Sequence, residues 1–113
     1  MEIAKVEFKG VTILCLSGRI DAGTSEQFKQ HLLTTIGDRP ARLVLDFAQV
    51  EFISSIGLRV LVVAAKRLTT VRGHMAFCGM EGSVREVFEL AGFKAIAPFF
   101  PGRDAAVASL SLS

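Results

Sequence analysis

Apolar and charged residues alternate at the start of the chain. Between Ile3 and Phe8, the residues Ala4, Val6 and Phe8 are interleaved with Lys5 and Glu7, the period of a half-exposed strand. Lys9-Gly10 follows, then the nearly continuous apolar run Val11-Thr12-Ile13-Leu14-Cys15-Leu16. Two residues with glycine second fit a tight hairpin turn, so the two runs are predicted to pair antiparallel. The second run lacks polar alternation, as expected of a strand covered on both faces. Ser17 to Gly23 reads as a loop. Thr24 with Gln27 three residues on matches a capping box, and Phe28, Leu32 and Ile36 recur at helical spacing up to Gly37. Asp38-Arg39-Pro40 reads as a turn, Arg42 to Phe47 as a third strand, and Gly57 to Thr70 as a second helix. Gly73 breaks that helix, and His74 to Cys78 has strand character. Ser83 with Glu86 makes a second capping box, opening a helix expected to bury Val84, Val87, Phe88 and Leu90 or Ala91, with Gly92 closing it. Ala95 to Phe99 is predicted as a short last strand and Arg103 to Leu110 as a terminal helix.

Strands alternating with helices imply crossover connections between parallel strands, with helices packed on the sheet. The expected architecture is α/β: a central mixed sheet of four to five strands, about four helices and an N-terminal hairpin, with residues 1–113 forming one domain. No internal repeat or low-complexity linker interrupts it.

Composition narrows the function classes. Half of the 113 residues are apolar and 21% are charged, enough apolar material for a packed core and too little charge for a disordered chain. The formal charge of +2 comes from scattered residues, with no run longer than Lys66-Arg67; a nucleic-acid binder usually carries a clustered basic stripe. No secretory signal is visible at the N-terminus. The apolar run from Ile56 to Ala65 falls short of the roughly 20 residues that a membrane span needs. Cys15 and Cys78 lie in strand-like segments and read as buried free thiols, which suit a reducing cytoplasm.

Catalytic constellations are largely missing. The chain has no Gly-x-x-x-x-Gly-Lys, no Gly-x-Gly-x-x-Gly and no Gly-x-Ser-x-Gly, so phosphate-loop, dinucleotide and hydrolase readings lack their signatures. His31 and His74 have no partner at zinc-ligand spacing. No enzyme activity, metal or cofactor is expected. One segment stands apart: Ser54-Ser55-Ile56-Gly57 lies where a buried strand gives way to a helix. One hydroxyl there is expected to cap the helix. The helix start also offers free amides and partial positive charge, which stabilise an anion. A phosphate on serine adds about −1.5 to −2 charges at neutral pH, tolerated by the helix and repulsive to a partner docking acidic or apolar groups. Gly57, lacking a side chain, is expected to leave the hydroxyl approachable.

With these residues in view, the chain resembles the STAS domain family, and within it the stand-alone anti-sigma factor antagonists. The resemblance rests on Leu43-Val44-Leu45-Asp46-Phe47, the spacer to Phe52-Ile53, and Ser54-Ser55-Ile56-Gly57-Leu58. Leu16-Ser17-Gly18-Arg19-Ile20-Asp21 and Gly92-Phe93 support it. The resemblance implies a bacterial, cytoplasmic regulator of transcription that works by partner switching. Such a protein binds an anti-sigma factor, a serine kinase of the histidine-kinase-like ATPase fold, and so frees a sigma factor. The kinase phosphorylates a serine and ends the complex, and a metal-dependent phosphatase of the PP2C type resets it. Aligned on Gly57-Leu58, the phosphoacceptor falls on Ser55; the family's preceding acid falls on Ser54 and its second hydroxyl on Ile56, two departures that leave Ser54 as the competing site.

Residue by residue, the resemblance places Asp21 on a loop facing the kinase, whereas the residues alone allow a helix-capping aspartate. Asp46 is expected either to orient the serines by hydrogen bonding or to be satisfied locally. Arg59 and Lys66 share a helix face, as partner contacts or as a solvated surface. The partner-binding set is therefore Asp21, Ser54, Ser55, Ile56, Gly57 and Arg59, with Asp46 supporting. Two other functions compete: a STAS module in a stressosome-like or lipid-transport ABC assembly, and a nucleotide- or small-molecule-binding domain on the same scaffold.

Overall fold

In the computed structural model, which describes residues 1–111, strands β1 (Glu2–Phe8) and β2 (Val11–Ile20) form the predicted hairpin. Its turn residues Lys9 and Gly10 have φ of 54° and 77°. Two consecutive positive φ values match the right-handed strand twist in a two-residue turn, which is why glycine sits second. Then follow α1 (Ser25–Ile36), β3 (Arg42–Ile53), α2 (Ser55–Thr70), β4 (His74–Cys78), α3 (Gly82–Leu90), a 3-10 turn (Phe93–Ala95), β5 (Phe99–Phe100) and α4 (Arg103–Leu110). The sheet order is β1-β2-β3-β4-β5, with β1 antiparallel to β2 and the other neighbours parallel.

This order decides where the helices go. Each parallel step advances one strand in the same direction, and crossovers are right-handed, so the three connecting helices fall on one face. There α1 contributes Phe28, Leu32 and Ile36, α2 contributes Val60, Leu61, Ala64 and Leu68, and α3 contributes Val84 and Phe88, all buried. Phe47, Phe77 and Phe88 pack edge to face, with ring centroids 5.0–5.9 Å apart, the arrangement that aromatic quadrupoles favour. On the opposite face α4 alone, among the described residues, covers the sheet, through Ala106, Val107 and Leu110.

Several predicted boundaries differ. β2 and β3 both continue past their apolar runs, to Ile20 and Ile53, because register shifts between Cys15 and Ser17 and between Gly18 and Arg19 break the side-chain period without ending the pairing. β1 is almost wholly exposed rather than half-covered, with Val6 44% and Phe8 53% accessible. Neither capping box forms. The Thr24 hydroxyl instead accepts the Asp21 N–H and donates to the Arg19 carbonyl. Ser83 lies inside α3, which begins earlier with Glu81 as its N-cap residue. Leu90 is 81% exposed, Ala91 is exposed too, and the last strand is Phe99–Phe100.

Candidate functional site

The strand ends β2 and β3 and the start of α2 meet at one tip of the molecule. The Ser54 N–H donates to the Ile20 carbonyl at 2.8 Å, holding the chain against β2 as it leaves β3. Ser54 has extended backbone (φ −89°, ψ 170°), its hydroxyl accepts the Gly57 N–H at 3.2 Å, and its carbonyl accepts the Leu58 N–H. These are the marks of an N-cap. The helix therefore starts at Ser55, two residues before the predicted Gly57. Ser55, its first residue, is exposed, as is Ile56, while Ser54 is half-buried.

Gly57 has a different duty from the one its sequence context implied. It is buried, and a Cβ there would lie 2.7 Å from Ile20 Cγ2 and 2.9 Å from Ile53 Cγ1. Both distances are below what carbon atoms tolerate, so glycine lets the helix start press onto the two strands. The hydroxyl of Ser55 is accessible because of its place at the helix start, not because of Gly57.

Around the serines, Arg19 lies 4.4 Å over the Phe52 ring and 3.8 Å from Asp21 Oδ2. Sequence reasoning missed this pair; the available signal was Phe52, a large aromatic next to Glu51 near the end of an apolar strand. Asp21 lies on the loop after β2, and its Oδ1 accepts the Gly23 N–H at 3.0 Å. Its side chain closes a local turn and leaves the α1 amides alone, while its carbonyl accepts the Thr24 and Ser25 N–H groups. Arg59 is exposed on α2, four residues after Ser55 and so on the same helix face. No acidic residue occupies the first turn of α2. The tip thus presents an exposed Ser55 near the exposed apolar residues Phe52 and Ile56 in the chain, with Arg59 on the same helix face.

Asp46 does not belong to it. The carboxylate is buried on the α4 face of the sheet, where Oδ2 is held by Arg103 Nε and Oδ1 accepts the Ala48 N–H at 2.9 Å. It orients no serine; it anchors α4. Strand register places Cys15 and Cys78 on either side of it. The two cysteines are therefore two strand spacings apart, roughly 10 Å, beyond the reach of a disulfide, and both are free thiols. Burial, with a smaller contribution from the Asp46 charge, pushes the Cys78 thiol up to about 12, against a weaker downward pull from Arg103. Among the described residues no group of three or more His, Cys, Asp or Glu side chains is placed to hold a metal ion, and no helix is long and apolar enough to cross a membrane.

Comparison with known proteins places the chain and its fold. The chain is 37% identical over 109 residues to BtrV of Bordetella bronchiseptica, a protein named as an anti-sigma factor antagonist; the alignment covers 96% of this chain and 94% of that one. The crystal structure of an anti-sigma factor antagonist from Mycobacterium paratuberculosis superposes with a TM-score of 0.87 at 27% identity, covering 96% of this chain and 92% of that one. The phosphorylated form of the Bacillus cell fate determinant SpoIIAA superposes with a TM-score of 0.72 at 16% identity, over 96% and 97% of the two chains, a likeness of fold. Since the STAS domain model matches residues 2–106, nearly the whole chain, this chain belongs to the STAS domain family.

Proposed function

We propose that the chain is an anti-sigma factor antagonist whose switch is the hydroxyl of Ser55. The unmodified tip docks on an anti-sigma factor, a serine kinase of the histidine-kinase-like ATPase fold, and displaces the sigma factor. The Ser55 oxygen attacks the γ-phosphorus of ATP, ADP leaves, and the hydroxyl proton passes to a base on the kinase. A metal-dependent phosphatase of the PP2C type restores the free hydroxyl. All of this chemistry belongs to the cytoplasm, where ATP and the transcription machinery are.

The observation that carries the reading is the division of labour between neighbouring hydroxyls. Ser54 is tied into the cap by Gly57, and Ser55 stands exposed one residue later. Phosphate on Ser55 lies at the positive end of a 16-residue helix, an interaction of about 0.3–1 kcal/mol on an exposed surface, with Arg59 one turn away. The fold therefore accepts the charge. A partner that seals the apolar surface of Phe52 and Ile56 would have to desolvate it, at several kcal/mol, and releases instead.

Intact-mass analysis after incubation with the candidate kinase and ATP tests the assignment. One phosphate is expected on the native chain and on Ser54→Ala, and none on Ser55→Ala. Ser55→Asp is expected to weaken kinase binding at least tenfold with an unchanged circular dichroism spectrum; undiminished binding by that variant would sink the switch. Capture of a transporter subunit or a stressosome-like assembly in place of an ATPase-fold kinase would replace this reading with the corresponding STAS module.

A further inference from the structure

Strand β1 is the outer strand of the sheet, and among the described residues no strand pairs with its free edge. Seven residues long, it contains no proline and pairs with β2 without a bulge, so it lacks two of the devices that usually blunt an exposed edge. In a two-residue hairpin the flanking residues, here Phe8 and Val11, exchange both backbone bonds. Phe8, Val6 and Ala4 consequently turn their backbone groups toward β2, and Glu7, Lys5 and Ile3 turn theirs outward. The side chains of Ala4, Val6 and Phe8 stand opposite Cys15, Ile13 and Val11, on the face that carries α4. Val6 and Phe8 line a groove there with Ile13, Val107 and Arg103.

We infer that this edge is a homodimer interface, in which β1 of a second copy pairs antiparallel with Val6 on the two-fold axis and joins two five-stranded sheets into one. Charge selects the occupant and the register. Outward-facing residues must meet each other, so the axis passes through one residue, and four centres are conceivable on this strand. Centring on Lys5 sets Lys5 against Lys5. Centring on Glu7 sets Glu7 against itself and Lys5 against Lys9. Centring on Ala4 leaves Lys5 facing Ile3 and Glu2 facing Val6. Centring on Val6 sets Lys5 against Glu7 twice, in the hydrogen-bonded positions, and Ala4 against Phe8 twice. That register also makes one apolar stripe of Ala4, Val6 and Phe8 from both copies, continuous with the two α4 grooves. Within one copy Lys5 and Glu7 already lie 3.6 Å apart and half-exposed, so the alternating pair is preset for its own image. The area gained is small, roughly 1,000 Å² or less, which belongs to weak and transient contacts. Ser54 and Ser55 follow β3, two strands away from the edge, and stay free in the pair.

Sedimentation equilibrium on the full chain, at concentrations up to about 1 mM to match so weak a contact, is the test. The native chain is expected to rise from one to two chains in average mass. Like charges directly opposite oppose pairing, so Lys5→Glu and Glu7→Lys are each expected to lose association at least tenfold. Mixing the two variants makes both cross-pairs complementary and is expected to restore it, as is the double exchange within one chain. Restoration by mixing also demonstrates that both variants fold. A native chain that stays monomeric throughout, or single variants that associate as the native chain does, would overturn the inference.

Discussion

Because the Ser54 hydroxyl holds the Gly57 N–H, its removal has a defined cost. Ser54→Ala is expected to lower stability by about 1 kcal/mol, the usual price of an N-cap. Ser55→Ala, one residue on and exposed, is expected to stay within about 0.5 kcal/mol. Urea denaturation of the two variants side by side measures the difference. Equal losses would mean that the two hydroxyls share the cap. The position of these serines was legible in the sequence because capping is local: a hydroxyl pair between an apolar strand and a helical period has few other places to sit. Thr24 and Ser83 carry the same kind of signal and do not cap. Thr24 is drawn instead to the Arg19 carbonyl, a contact five residues back that no capping pattern encodes. Gly57 was legible as a special residue but not for its reason, since the steric limit comes from Ile20, far away in the chain.

Elements were legible where their period was unbroken. The hairpin turn, β4 and α4 lie where the apolar pattern puts them, and α2 starts two residues earlier, at Ser55. β2 and β3 run long because bulges shift the pattern while the backbone pairing continues. The tie between β3 and α4 was invisible, for Asp46 and Arg103 are 57 residues apart. That tie surrounds Cys78 with a carboxylate and a covered sheet face, and gives an alkaline prediction. In the unfolded chain the thiol titrates near its ordinary value of 9.0, and in the folded chain near 12. Below about pH 8 both states hold the proton, and this group adds no pH dependence. Between those two values the unfolded chain releases a proton that the folded chain keeps, so stability falls as pH rises. The loss from this group reaches about 1 kcal/mol by roughly pH 10. Denaturation midpoints of the native chain and Cys78→Ala between pH 8 and 10.5 should therefore converge as pH rises, the variant having the shallower slope. Parallel slopes would mean that Cys78 titrates alike in both states.

For the whole molecule, one consequence of sequential strand order outweighs the rest. It sends α1, α2 and α3 to a single face and, among the described residues, leaves the other to α4, a helix of eight residues. So short a helix is marginal by itself, and its docking rests on Ala106, Val107 and Leu110, on Arg103 with Asp46, and on the Arg42 guanidinium donating to the Leu110 carbonyl. The opposite face buries more and larger side chains, including Phe28, Leu61 and Phe88. The two faces should therefore open separately, as cooperative units of unequal stability. Native-state hydrogen exchange is expected to give the amides of Arg103–Leu110 a lower opening free energy than those of α2 and β3. Arg103→Met leaves the Asp46 carboxylate with the Ala48 N–H alone, and losing a hydrogen bond to a charged group costs about 1.5–3 kcal/mol. Spread over a site whose arginine is half in water, the expected drop is at the low end of that range, and it should appear as a further fall in α4 relative to α2. If α4 exchanges only with global unfolding, and the variant lowers every amide alike, the sheet and its lone helix form one cooperative unit and the thin face is not a separate one.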